Sequence, residues 1–120
     1  MDSHCHLDFS SPDLFPEVDV AVLIERARAA GVVGMINAGD TLESSRRSVE
    51  LAQTYPEVWA AIGVHPNEAL SGSPRVEAEF LAWIEADRNQ KRNERRIVAI
   101  GEIGLDYFRD RAPKDVQEKV

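Results

Sequence analysis

GEIGLDY, residues 101–107, places the carboxylate of Glu102 directly behind the apolar run IVAI at residues 97–100. A second short stretch, HCH at residues 4–6, holds two imidazoles one residue apart. Because a β-strand sends alternate side chains to the same face, we expect His4 and His6 to point one way and Cys5 the other. Two neutral imidazoles and a carboxylate suit a divalent cation. The sequence therefore predicts part of a metal-dependent hydrolase site.

The apolar neighbours of Glu102 strengthen this prediction. Ile100 and Ile103 flank the acid, so we expect it to be buried. A buried carboxylate is costly without a compensating partner, and a metal ion is the partner that best fits the two histidines.

Composition indicates a single globular domain over residues 1–120, with 43% hydrophobic and 29% charged residues. No apolar run approaches the length of about 20 residues that a membrane-spanning helix needs. The chain has one cysteine, Cys5, which excludes an internal disulfide and fits a reducing compartment. These features predict a cytoplasmic protein without a membrane partner.

The formal net charge of −7 bears on the substrate. A chain of this charge repels nucleic acid over most of its surface. If it acts on DNA, bound metal ions must supply much of the local positive charge.

Apolar runs alternate with amphipathic stretches along the whole chain. Strands are predicted at residues 1–8, 32–39, 58–64 and 97–103, and helices at 19–30, 40–55, 75–89 and from residue 112 onward. The second and third strand runs lack clean alternation, which is typical of strands buried on both faces of a parallel sheet. Crossovers of this length also require parallel pairing. The fold class is therefore α/β, either an open doubly wound sheet or part of a (β/α)8 barrel.

Polar residues at the carboxyl ends of the predicted strands favour the barrel. They are His4 and His6, Asn37, His65 and Glu102. Barrel enzymes build their active sites on this rim, whereas an open sheet places its site at one switch point. A complete barrel needs about 250 residues, so four βα units amount to a truncated first half.

Four motifs together resemble the TatD family of metal-dependent hydrolases, which are amidohydrolase-like barrels. They are DSHCHLD at 2–8, GVVGMINAGD at 31–40, AIGVHP at 61–66 and GEIGLDY at 101–107. The resemblance covers essentially the whole chain. It implies a TIM barrel with one or two divalent metal ions and deoxyribonuclease-type hydrolysis of phosphodiester bonds in DNA.

The resemblance also implies roles for individual residues. His4 and His6 match metal ligands of the first strand, and Glu102 matches the carboxylate that bridges or joins the metals. His65 matches a rim histidine near the substrate, so the expected catalytic residues are Glu102 and His65. Family members continue beyond the position of Val120 with two more histidines and an aspartate, so the resemblance implies that this chain is the N-terminal half of such an enzyme.

Several alternatives stay open. Magnesium, manganese, zinc and iron all accept histidine and carboxylate ligands. The same metal scaffold serves amide or ester hydrolysis, and a third reading is a catalytically incomplete fragment that self-associates through open sheet edges. No obligate protein partner is evident. A nucleotide-binding doubly wound domain lacks support, because no GxGxxG motif follows a predicted strand.

Other conspicuous residues are given structural roles. The basic cluster of residues 91–96 precedes the fourth strand, which places it at the opposite end from the rim as a solvated face. Trp59 and Trp83 are expected in the core. The third helix is expected to bury Phe80, Leu81, Trp83 and Ile84.

Overall fold

Four parallel strands form one sheet in the computed structural model, which describes residues 1–7, 19–109 and 111–120. The sheet order follows the chain order, and each strand pairs in parallel with the next. The strands are β1 (Asp2–Cys5), β2 (Met35–Ala38), β3 (Val58–Ile62) and β4 (Ile97–Ile100). Asp8, the last residue of the DSHCHLD motif, lies outside the described residues.

Helices alternate with these strands as the sequence predicts. They are α1 (Val20–Ala29), α2 (Leu42–Thr54), α3 (Pro74–Arg88) and the short α4 (Lys114–Gln117), with a 3₁₀ helix at Pro66–Ser71 before α3. A capping box between Thr41 and Ser44 begins α2, each side chain bonding the other's backbone N–H. None of the helices that the structure describes is long and apolar enough to cross a membrane.

The strands end earlier than the apolar runs predict. β1 ends at Cys5, so His6 follows the strand, and β4 ends at Ile100 and not at residue 103. At β4 the cause is local, because Glu102 adopts a φ of 45° and extended pairing cannot continue through it.

The core lies between the two central strands and the helices packed on them. Its buried members include Ile24, Met35, Leu51, Ala52, Val58 and Ala60. Two-sided burial is therefore confirmed for β2 and β3. It does not extend to β4, where Val98 is 50% and Ile100 is 53% exposed, because β3 is its only strand neighbour among the described residues.

The predicted buried side of α3 is wrong. Only Val76 of this helix is buried, Leu81 is 58% exposed, and the remaining three expected core residues are half-buried. The helix lies beside an open apolar groove of about 270 Å³ that Ile100 and Ile103 also line, so its apolar side chains are only partly covered. Trp59 and Trp83 are likewise half-buried and not in the deep core.

Asn37 is buried within the fold and does not line the cleft described below. Its side-chain oxygen accepts from the backbone N–H of Leu7 at 2.6 Å, and its amide donates to Ser48 Oγ at 2.7 Å. These bonds attach the residue that follows His6 to β2 and α2. Asn37 therefore holds the end of β1 in position through Leu7. The sequence suggested a residue on the rim of the site, and the structure gives Asn37 a structural role instead.

Close backbone contact joins β3 to β4 just before Glu102. A Cβ atom on Gly63 would lie 1.7 Å from the carbonyl oxygen of Gly101, so only glycine fits there. The N–H of Gly101 also donates to the carbonyl of Ile62 at 3.1 Å. This contact fixes the point from which the chain turns into Glu102.

Candidate metal centre

The two histidines lie side by side at the carboxyl end of β1. Their Nε2 atoms are 3.2 Å apart, and their ring centroids are 5.0 Å apart in an edge-to-face arrangement. Cys5 points to the opposite side, where its thiol donates to the carbonyl of Ile36 at 3.4 Å. The alternation predicted for His4, Cys5 and His6 is therefore confirmed.

Glu102 completes the cluster from the other edge of the sheet. Its Oε1 lies 3.4 Å from Nε2 of His4. The left-handed backbone at Glu102 follows Gly101 immediately after β4, and non-glycine residues adopt that conformation rarely. The side chain is 22% exposed and its neighbour Ile103 is 62% exposed, so the carboxylate is partly buried and not enclosed by apolar residues on both sides. β4 is an edge strand among the described residues, which leaves this side of the site open.

The meeting of His4 and Glu102 fits a curved sheet. β1 and β4 stand at opposite edges with two strands between them. At about 4.8 Å per strand spacing, a flat sheet would hold these two strands about 14 Å apart. The side chains still approach to 3.4 Å, so the strand ends bend toward one another as they do in a barrel.

The spacing of these atoms fits a metal ion. One ligand atom from each of His4, His6 and Glu102 lies within 4.8 Å of the other two. Ligands at about 2.0–2.2 Å from a metal are roughly 3.0–3.6 Å apart when they occupy neighbouring corners of its coordination sphere. The two measured separations of 3.2 and 3.4 Å fall in that range. Two of the three separations therefore suit neighbouring ligands of one divalent ion, and the third, between His6 and Glu102, is at most 4.8 Å.

His65 lies near this cluster but is not among its three members. It caps the 3₁₀ helix, where its Nδ1 accepts from the backbone N–H of Asn67 at 3.0 Å. The backbone N–H of His65 donates to the backbone carbonyl of Asp40 at 2.8 Å. Because Nδ1 is an acceptor here, the neutral ring carries its proton on Nε2. His65 is therefore a hydrogen-bond donor through Nε2.

A cleft of about 350 Å³ brings the rim residues together. It is lined by His6, Asp40, His65, Asn67, Glu68, Glu102, Arg109 and Arg111. Three of the four site residues expected from the sequence thus face one cavity, and His4 joins them through its contacts with His6 and Glu102. The cleft is polar and open to solvent.

Sequence reasoning missed the two arginines of this cleft. Arg109 and Arg111 follow GEIGLDY in an irregular segment between β4 and α4. No periodic pattern assigns a direction to side chains in such a segment. The available signal was their position, since basic residues that follow a strand lie at the carboxyl rim of a parallel sheet.

Hydrogen bonds to Asp106 hold that segment in place. Its carboxylate accepts from the backbone N–H groups of Phe108 and Arg109 and from Nη1 of Arg109 at 2.9 Å. The backbone and side-chain bonds from Arg109 hold the pKa of Asp106 below its ordinary range. Tyr107 donates its hydroxyl to Glu118 at 2.7 Å, and this bond raises the pKa of the phenol. Both residues therefore organise the loop.

Comparison with known proteins assigns the family. A model of the TatD related DNase family matches residues 1–120. An uncharacterized metal-dependent hydrolase, YabD of Bacillus subtilis, is 38% identical over 99% of this chain and 42% of its own length. The 3'-5' ssDNA/RNA exonuclease TatD of Salmonella typhimurium is 36% identical over 81% of the chain and 34% of its own length. Deoxyribonuclease Tat-D of Schizosaccharomyces pombe is 36% identical over 94% of the chain and 36% of its own length.

A solved structure shows the same architecture. The crystal structure of YJJV, a TatD homologue from Escherichia coli K12, superposes with a TM-score of 0.76 at 32% identity over 98% of this chain. The match covers 42% of that protein, and this chain spans between about a third and two fifths of the length of the relatives described above. The predicted fold class, parallel βα units of a TIM barrel, is confirmed. The chain belongs to the family of TatD related DNases.

Proposed function

We propose that this chain contributes part of the active site of a metal-dependent hydrolase that cleaves phosphodiester bonds in DNA. The observation that carries the proposal is the convergence of His4, His6 and Glu102 within 4.8 Å at the carboxyl rim of the sheet. The names of two relatives, a ssDNA/RNA exonuclease and a deoxyribonuclease, support nucleic acid as the substrate.

His4, His6 and Glu102 are the proposed ligands of one or two divalent ions. Mixed nitrogen and oxygen donors accept magnesium, manganese, zinc or iron. A divalent ion at such a site lowers the pKa of a water molecule and stabilises negative charge on a phosphoryl group. Glu102, facing His4, is the proposed catalytic carboxylate, because it is the one acidic member of the cluster.

His65 is proposed to act on the substrate and not on the metal. Coordination through Nε2 would move the proton to Nδ1 and break the bond from the Asn67 N–H. The Nε2–H group is instead available to donate to a phosphoryl or leaving-group oxygen in the same cleft. Nitrogen-15 NMR of the neutral ring checks this assignment. We expect the Nε2-protonated tautomer, and a spectrum of the Nδ1-protonated tautomer would refute it.

Cleavage of single-stranded DNA tests the proposed function. In protein carrying this sequence, Glu102→Ala should lower manganese-dependent cleavage by at least roughly 100-fold, since even residues that only support a metal ligand cost 10–100-fold. Glu94→Ala removes an exposed carboxylate before β4, at the opposite end of the sheet, and is the matched control. Unchanged cleavage in the Glu102 variant, or equal loss in both variants, would contradict the proposal.

A second candidate keeps the metal scaffold and changes the bond. The net charge of −7 favours an amide or ester substrate over a polyanion. A substrate panel with matched phosphodiester, ester and amide leaving groups distinguishes the two. Metal-dependent turnover confined to the amide or ester compounds would replace the nuclease assignment.

Three broader proposals accompany the activity. Residues 1–120 form one domain, the N-terminal part of a TatD-like barrel. The sequence has one cysteine, Cys5, which fits a cytoplasmic location because disulfide bonds are rare in a reducing compartment. The third proposal concerns the edges of the sheet. In the described residues, β1 and β4 each have one strand neighbour. The free edges of these strands are proposed to mediate self-association when the 120-residue chain is alone.

A further inference from the structure

We propose that Arg109 and Arg111 form a phosphate subsite beside the metal centre, which holds a backbone phosphate of the nucleic-acid strand. The inference rests on the proposed nuclease function and adds two residues that contact substrate through charge. Both arginines line the cleft that also contains His6 and Glu102.

The first support is the chemistry of the two side chains. Arg111 is exposed, and within the described residues it makes no ion pair or hydrogen bond. Arg109 uses Nη1 to bond Asp106, which leaves Nε and Nη2 available. A guanidinium presents five N–H donors in a planar fork, and this geometry suits two oxygens of one phosphate. Counting partners among the described residues alone, the cleft therefore contains one unpaired and one partly paired phosphate-binding group.

The second support is the set of hydrogen bonds on either side of the two arginines. Gln117 of α4 is 4% exposed and bonds Asp106 and Ala112 at three points. Its side-chain oxygen accepts from the N–H of Asp106 at 2.7 Å, and its amide donates to the carbonyls of Asp106 and Ala112 at 3.1 and 2.8 Å. These bonds hold Asp106 and Ala112, which lie on either side of the two arginines in the chain. Gln117 and Asp106 are therefore positioning residues.

The third support is the charge balance of the cleft. Among the described residues, its lining contains three carboxylates, those of Asp40, Glu68 and Glu102, and the two guanidinium groups. The carboxylates exceed the arginines by one charge, which disfavours a polyanion. A divalent ion on the Glu102 cluster reverses that sign. The subsite is therefore expected to bind nucleic acid well only when the metal is present.

The experiment measures binding of a labelled single-stranded phosphorothioate oligonucleotide by fluorescence anisotropy, with manganese and then with EDTA, across a salt series. Arg111→Gln is the test variant, because Arg111 forms no hydrogen bond or ion pair with any residue that the structure describes. Arg92→Gln is the matched control, because it removes the same charge from an exposed residue before β4, away from the cleft.

We expect Arg111→Gln to weaken binding in manganese on the order of tenfold at low salt. The slope of log K against log salt should become shallower by about 0.7, the value for one lost phosphate contact on a single strand. Arg92→Gln should leave both quantities near those of the unmodified chain. EDTA should weaken binding of the unmodified chain and reduce the difference that Arg111→Gln makes.

Equal affinity and slope in Arg111→Gln and Arg92→Gln would overturn the subsite, as would failure of the unmodified chain to bind in manganese. The outcome is separable from the nuclease proposal. Binding that depends on Arg111 without any cleavage would remove the nuclease and keep the subsite. Cleavage with a KM that Arg111→Gln does not change would keep the nuclease proposal and overturn the subsite.

Discussion

Glu102 has the most constrained position in the candidate site. Its φ of 45° follows directly after β4, and its carboxylate faces His4 from across the sheet. A left-handed non-glycine residue costs on the order of 1–3 kcal/mol and persists where surrounding structure imposes it. This backbone conformation brings the Glu102 carboxylate close to the imidazoles of His4 and His6. That arrangement supports a functional reason for the backbone strain.

Residue identity and the alternation of side chains along a strand are enough to predict this cluster. The period of a strand placed His4 and His6 on one face, and the motif after the fourth apolar run supplied Glu102. The arginines of the cleft were not predictable in the same way, because Arg109 and Arg111 lie in an irregular loop. Their direction depends on bonds from Asp106 and Gln117, which no local pattern reveals.

The ion pair between Arg28 and Glu57 predicts an acid-dependent loss of stability. The Arg28 guanidinium holds the pKa of Glu57 below its ordinary value of 4.5. A carboxyl with a depressed folded-state pKa binds fewer protons folded than unfolded. The stabilisation from this ion pair is therefore fully present above the pKa that Glu57 has in the unfolded chain. It is lost as the pH falls through the lower pKa that Glu57 has in the folded chain.

Urea unfolding between pH 7 and pH 3 measures this effect. The unmodified chain should lose stability below about pH 4.5, and Glu57→Gln should lose less over the same interval. Glu85→Gln, an exposed carboxylate of α3, is the control and should follow the unmodified chain. Parallel pH profiles for Glu57→Gln and the unmodified chain would refute the role of the pair.

At the scale of elements, strand identity was predictable and strand length was not. Apolar runs marked β2, β3 and β4, and the HCH motif marked β1. β2 and β3 have the two-sided burial that their composition indicates. The ends depend on backbone conformation, as at Glu102. The buried side of α3 was mispredicted because its apolar residues border an open groove in place of a packed layer.

Gly63→Ala tests the close contact between β3 and β4. The new methyl group would lie 1.7 Å from the Gly101 carbonyl oxygen, so the strands must separate. We expect a loss of about 1–3 kcal/mol in unfolding free energy, typical of overpacking. The displaced β4 should also weaken metal binding through Glu102.

Gly101→Ala is the control for that substitution. Its added Cβ would meet only the Ala61 methyl group at 3.2 Å, so a smaller loss is expected. Chemical denaturation gives both values. Equal stability in Gly63→Ala and the unmodified chain would show that the two strands are not held together by this backbone contact.

At the scale of the whole molecule, the half-barrel has two free edges and an exposed apolar surface. β1 and β4 have one neighbour each in the described residues, and Ile100 and Leu81 of the apolar groove are more than half exposed. Unpaired strand edges next to apolar side chains favour pairing with another chain.

Sedimentation velocity over a range of concentrations tests self-association of the 120-residue chain. We expect concentration-dependent oligomers, and Ile100→Lys on β4 should reduce them by placing a charge on the edge. Val33→Lys is the control, because Val33 is 80% exposed and precedes β2. A monomer at every concentration would contradict this expectation.

Titration with manganese, followed by isothermal calorimetry, tests the central claim most directly. The unmodified chain should bind at least one ion, and Glu102→Gln should bind at least about tenfold more weakly. Glu94→Gln should match the unmodified chain, because Glu94 lies before β4 and away from the cluster. Equal manganese affinity in all three proteins would show that His4, His6 and Glu102 do not form a metal site.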